Sequence, residues 1–173
     1  MSKIRADKQT TFGFKAGFSH GIINGHELDK TKTGYIGYEI YGSLFSNSKL
    51  NEKLSIENEV LVSFADEYLF VEIPIHLKYK FCDKWIFLMG PKMDFMPTTP
   101  TYDAEFIGYQ INMNHYFKGM GISAEIGIQY DITKKYFTEF RISRGITKQI
   151  NDLSFDLLNG KRNTFRLGLG INF

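Results

Sequence analysis

The sequence predicts an all-β protein: an eight-stranded antiparallel up-and-down transmembrane β-barrel with a polar, side-chain-filled lumen. Three observations lead there. The first is the stretch 119–132, GMGISAEIGIQYDI, whose even positions from Met120 to Ile132 are all apolar and whose odd positions are Gly, Ser, Glu, Gln or Asp. Alternation with period 2 marks a strand, and this one exceeds the roughly 5–6 residues of a soluble strand, reaching the 9–11 that cross a bilayer at a tilt. The second is that the pattern recurs eight times, with connections that alternate between short and long, as in outer-membrane barrels with short periplasmic turns and longer extracellular loops. The third is composition: 16 Phe, 10 Tyr and 16 Gly against 4 Pro suit strands with one bulky face and one crowded face.

Taken in order, residues 1–10 are expected to be a disordered N-terminal segment and 11–173 the barrel domain. The first strand, 11–19, sets Phe12, Phe14, Ala16 and Phe18 against Gly13, Lys15 and Gly17. A polar loop, 20–32, leads to the second strand, 33–45, where Ile36, Tyr38, Ile40 and Leu44 oppose Gly37, Glu39, Tyr41 and Ser43. A turn rich in Asn, Ser and Lys occupies 46–53. In the third strand, 54–65, Leu54, Ile56, Val60, Val62 and Phe64 share a face, with Asn58 as its exception, opposite Ser55, Glu57, Glu59 and Ser63.

After a two-residue connection, the fourth strand, 68–81, carries Pro74, where a bulge or a missing ladder bond is expected. The fifth strand, 85–95, follows a tight turn at 82–84 and includes Pro91. Residues 96–118 read as a long loop that carries an extended hairpin or a short helix. The sixth strand is the 119–132 stretch. The seventh, 136–147, places Arg144 on the apolar face near a loop, where a long side chain can snorkel. A polar loop spans 148–162, and the last strand, 163–173, ends on Phe173.

The apolar face must point outward. An eight-stranded barrel holds packed side chains or one small ligand, and the apolar face carries too many Phe, Tyr, Ile and Leu side chains for that space. A soluble lipocalin-like barrel is therefore disfavoured. Aromatics near the strand ends, Phe12, Tyr79, Trp85, Phe87, Tyr136 and Phe173 at one side and Phe18, Phe64 and Phe95 at the other, form two candidate interfacial girdles. Net charge is +2, so charge makes no case for nucleic acid, and no apolar run is long enough for a transmembrane helix. The opening MSKIRADKQT has no hydrophobic signal core, so an exported form is expected to have lost a signal peptide. Cys82, the single cysteine, reads as an inert turn residue.

The inward face collects Glu39, Glu57, Glu59, Glu72, Asp94, Glu125, Asp131 and Glu139 with Lys15, Lys78, Lys92, Arg141, Arg166 and His76. Buried charges are costly unless paired, so these residues are expected to form a hydrogen-bonded network that plugs the barrel rather than a proton or ion path. Within it, Glu72 is expected directly opposite Lys92, because the neighbouring register would set Glu72 beside Asp94. Ser19, His20, His26 and Glu27 are the residues a loop-based hydrolase or acyltransferase would use, but no motif supports an enzyme. His20, His26, Glu27 and Asp29 match no standard metal spacing. No metal or cofactor is expected. The loops carry apolar residues, among them Tyr102, Phe106, Tyr109, Tyr116, Phe155 and Leu158, that either pack on one another or form a candidate contact surface for a protein partner.

Several segments, TFGFKAGFS, LSIENEVLVS, YLFVEIPIHLKYKF, WIFLMGPKMDF, GISAEIGIQYDI, YFTEFRISRGIT and NTFRLGLGINF, together resemble the PorT-like outer-membrane β-barrel family of Bacteroidota. The EIP-plus-KYKF strand before a Gly-Pro strand and the R-S-x-G-[IL]-T ending of the seventh strand carry most of that likeness. The resemblance implies the barrel fold, an outer-membrane location in a Gram-negative bacterium, and insertion by the barrel-assembly machinery, with Phe173 as the C-terminal insertion signal. One member resembles a secretion-system component, which makes an accessory role in a secretion or surface-assembly complex an alternative to a structural or binding module.

Overall fold

The computed structural model describes residues 10–26, 32–33, 36–65, 68–98, 103–106, 109–112, 119–149 and 160–173. The strands are β1 Thr10–His26, β2 Lys32–Thr33, β3 Ile36–Lys49, β4 Leu54–Ala65, β5 Tyr68–Lys80, β6 Trp85–Thr98, β7 Asp103–Phe106, β8 Tyr109–Asn112, β9 Met120–Asp131, β10 Tyr136–Gly145 and β11 Lys161–Asn172. Eight of them close a barrel in the order β1-β3-β4-β5-β6-β9-β10-β11, with β11 pairing back onto β1. All pairings are antiparallel, and the closing ladder runs from Gly13 opposite Asn172 to Asn24 opposite Lys161. Closure leaves no unpaired barrel edge, the condition for meeting lipid. The short β2 adds to the end of β1, and β7 and β8 form a separate hairpin inside 96–118.

The strands run further than alternation alone indicates. Residues 20–26 continue β1 rather than opening a loop, pairing with β11 as far as Asn24, with β3 as far as Ile22, and with β2 at Gly25 and His26. Ser46–Lys49 pair with Ser55–Asn58, so the 46–53 turn shrinks to four residues. There Asn51 Oδ1 accepts from the amides of Lys53 (2.9 Å) and Leu54 (2.8 Å), a side chain mimicking a backbone turn. The physical reason is common to both cases: ladder bonds extend a strand wherever a partner exists, whether or not its residues are apolar. At the N-terminal end, Thr10 already belongs to β1, and the rest of the segment expected to be disordered lies outside the described residues.

Pro74 acts as a missing ladder bond and not as a bulge. The β4–β5 partners run from Leu54 to Asn58 and resume at Leu61 opposite Glu72 with the register unchanged. The one register shift between β5 and β6 falls between Leu69 and Val71.

Burial alternates along the barrel strands, and most outward positions are apolar, with Asn58 and Arg144 among the exceptions. Tyr38 is 84% exposed, Phe18 70% and Leu169 65%. So continuous an apolar surface is unlike that of a water-soluble monomer. At the end carrying the short turns, Trp85 and Tyr130 pack with centroids 4.7 Å apart. Lys84 lies over the Tyr130 ring and Lys135 over the Tyr136 ring. Phe173 is exposed at this same end and donates its amide to the Phe12 carbonyl at 2.9 Å.

Inside, large inward side chains are admitted by glycines on facing strands. Phe45 and Phe137 meet edge to face, centroids 5.8 Å apart, and both are buried. Gly13 gives room to Phe45 and Gly170 to Phe137, and a Cβ at either position would run into the ring. This ring pair separates the charged interior from the turn end of the barrel.

Candidate functional site

The interior is a continuous network of ion pairs. Starting near the ring pair, Lys78 pairs with Glu57, and Lys15 Nζ reaches Glu57 (2.7 Å), Glu59 (3.0 Å) and Glu139 (3.1 Å). The Lys15 ammonium also lies 4.9 Å from the Phe45 ring centroid. Arg141 takes Glu59 through both terminal nitrogens, Nη1 at 2.9 Å and Nη2 at 3.2 Å, and contacts Glu125 and Glu139. Arg166 continues from Glu125 (3.4 Å) to Glu72, where Nη2 contacts both carboxylate oxygens at 2.8 and 3.0 Å. His76 stands between Glu125 (Nε2, 2.9 Å) and Glu57 (Nδ1, 3.5 Å).

At the loop end the hub is Glu72. Lys92 Nζ lies 2.6 Å from Glu72 and 3.0 Å from Asp94, and it donates to Ser143 Oγ at 3.2 Å. Arg162 bridges the same two acids with Nη1 (2.9 and 3.1 Å) while Nη2 holds Glu39 at 2.8 and 2.9 Å. Ser19 donates to Glu39 (2.8 Å) and Ser123 to Asp94. The Arg162 guanidinium stacks 3.8 Å from the centroid of buried Phe70.

Most of the inward residues expected from the sequence join this network, with three corrections. Asp131 does not: it is half-buried near the turn end and accepts a hydrogen bond from Gln129 at 2.6 Å. Arg162, assigned to a loop by its polar surroundings, belongs to β11, is buried, and contacts three acids. Its parity with Arg166 and Gly168 was the available signal. The third correction is register. Glu72 stands opposite Asp94, and Lys92 is opposite Pro74. The two carboxylates are tolerated side by side because Lys92, reaching diagonally, and Arg162, crossing the lumen, each touch both. The Glu72–Lys92 contact itself is present.

Among the described residues, seven buried carboxylates face six buried Lys and Arg side chains, with His76 as the further cationic candidate. Charges thus come close to cancelling, which is what a desolvated ionic cluster requires. Glu57, Glu59 and His76 present ligand atoms within 4.8 Å of one another. However, Lys15, Lys78 and Arg141 already occupy those carboxylates, so the arrangement is an ion-paired core and not a vacant chelate.

The other candidates separate. Ser19 points into the lumen while His20 lies on the outward face beside Tyr38, ring centroids 4.9 Å apart. Strand alternation therefore puts this Ser and this His on opposite sides of the wall. Glu27 and Asp29 lie outside the described residues, as does the His26 side chain. Of the loop residues, Phe106 and Tyr109 face each other across the β7–β8 hairpin backbone, while Tyr102, Tyr116, Phe155 and Leu158 lie outside the described residues.

No family model matches this chain, and no curated protein does. Solved structures do. Neisserial surface protein A superposes with a TM-score of 0.55 at 10% identity, covering 96% of this chain and 100% of its own. Ail, the attachment invasion locus protein of Yersinia pestis, gives 0.54 at 11%, covering 95% and 99%. The outer membrane enzyme PagL gives 0.52 at 8%, covering 88% and 98%. At such identities the likeness is one of architecture: this chain has the closed, eight-stranded antiparallel fold of outer-membrane β-barrels.

Proposed function

We propose that the chain is an outer-membrane protein of a Gram-negative bacterium whose barrel is a closed, non-conducting scaffold, and that its loop-end segments are a binding module facing the exterior. The observation that carries this reading is the combination of an apolar outer wall with a lumen filled by paired charges. The wall suits lipid, and the filled lumen leaves little room for solute. What remains for function is the loop end, where the apolar residues of 96–118 and 148–162 suit contact with a protein partner. Catalysis has no support from Ser19 and His20, which the strand sets on opposite faces.

Membership of the PorT-like family of Bacteroidota is part of the same proposal, supported by the strand segments that carry the resemblance. On that footing the second reading is an accessory subunit of a secretion or surface-assembly complex. Co-purification from the native membrane tests both. Replacing Phe106, Tyr109, Phe155 and Leu158 together by Ser is expected to leave the barrel folded and release the partner. Retention of the partner by the quadruple variant refutes the loop surface, and a partner belonging to a secretion apparatus selects the accessory role.

A further inference from the structure

At the turn end, beyond the Phe45–Phe137 pair, the barrel holds a cavity of about 270 Å³. That is space on the order of nine waters, enough to admit a small polar anion. Its lining is strongly basic. Lys49, Lys53, Lys80 and Lys134 surround it, against two acids, Glu52 and Asp131. Lys78 reaches it from within while pairing with Glu57. A concave site rimmed by one sign of charge concentrates counter-ions.

Two further atoms make the cavity more than a basic patch. Asn47 Oδ1 and Gln129 Oε1 are both buried in its lining without a hydrogen-bond partner. Gln129 spends its Nε2 on Asp131. Buried polar atoms are normally satisfied, and those that are not call for a ligand or water. Both atoms are acceptors, so a ligand that satisfies them must bring donors, while the lysines require it to be negative.

We propose that this vestibule binds a small hydroxylated anion: a phosphate or carboxylate group held by the rim lysines, with hydroxyls donating to Asn47 and Gln129. The same chemistry occurs in soluble polyol phosphates and in the headgroup of phosphatidylglycerol. The outward lysines Lys84 and Lys135, held over girdle tyrosines, would meet the headgroup, whereas the vestibule would take the soluble anion.

The test is a titration of the full chain in an uncharged detergent, read by NMR of the Asn and Gln side-chain amides and the lysine ammonium groups. Probes are glycerol 3-phosphate, inorganic phosphate and glycerol, with phosphatidylglycerol nanodiscs as a separate arm. Saturable shifts at Asn47, Gln129 and Lys80 with glycerol 3-phosphate are expected, with weaker binding of phosphate and none of glycerol. Lys80→Gln with Lys134→Gln should weaken binding about tenfold, since each lost charge contact costs a few-fold. Asn47→Leu should remove the preference for glycerol 3-phosphate over phosphate while retaining phosphate binding. The proposal is overturned if the lysine pair variant binds as tightly as the parent, or if glycerol binds equally. It is likewise overturned if shifts appear at Lys84 and Lys135 alone, or arise with phosphatidylglycerol and not with glycerol 3-phosphate.

Discussion

Replacing Lys92 by Met tests the logic of the lumen most directly. Its ammonium sits 2.6 Å from Glu72 and 3.0 Å from Asp94, two carboxylates that the β5–β6 register places opposite each other. The variant leaves that acid pair to Arg162 and Arg166, which are already shared with Glu39 and Glu125. Removing one partner of a buried pair costs about 3–5 kcal/mol. We expect the lower half of that range, about 3 kcal/mol, because Arg162 still bridges both acids. Glu72→Gln should cost at least as much, since it strips three cations of an acceptor. The double variant should then fall short of the sum by about 1–3 kcal/mol, the size of coupling found between directly contacting residues. Asp94→Asn added to Lys92→Met should also recover stability, because it removes the acid facing Glu72. Urea unfolding of all five proteins in detergent micelles, followed by tryptophan fluorescence, gives the cycle. A coupling near zero between positions 72 and 92 would show that the two side chains do not interact and refute the network as described. Failure of Asp94→Asn to rescue would refute the opposed-acid register.

The remaining expectations concern wall, lumen and orientation. The purified protein should show a strand-dominated circular dichroism spectrum and heat-modifiable gel migration; a helical spectrum, or a soluble monomer without detergent, contradicts the barrel. In planar bilayers it should give no stable unitary conductance, and reproducible openings would mean that the ionic network is not a plug. Gly170→Val should destabilise the barrel by about 1–3 kcal/mol through overpacking against Phe137, and Phe137→Leu in the same chain should restore part of the loss in urea unfolding. Cys82, exposed and the single cysteine, lies in a turn at the end expected to face the periplasm. A bulky maleimide should therefore label it only after the outer membrane is permeabilised, and labelling in intact cells would invert the proposed topology.

The division between what sequence and tertiary structure determine follows from the range of each interaction. Alternation is local: in LSIENEVLVS and GISAEIGIQYDI each residue's parity assigns it to wall or lumen, so the barrel, its outward face and thirteen of its inward charged residues were readable in advance. Strand ends were not, because a ladder continues wherever a neighbour supplies partners. That is why 20–26 became strand and Arg162 moved from loop to core. Register is set by neighbours too. The 82–84 turn sets Lys80 against Ile86, and that register continues unbroken to Glu72 against Asp94, changing only beyond Val71; no feature of either strand alone reveals it. Nor does pairing inside the lumen follow from strand adjacency. Arg162 on β11 reaches Glu72 on β5, Asp94 on β6 and Glu39 on β3 because closing eight strands brings opposite walls within one side-chain length. Sequence fixes which charges enter the barrel; curvature and closure decide which of them meet.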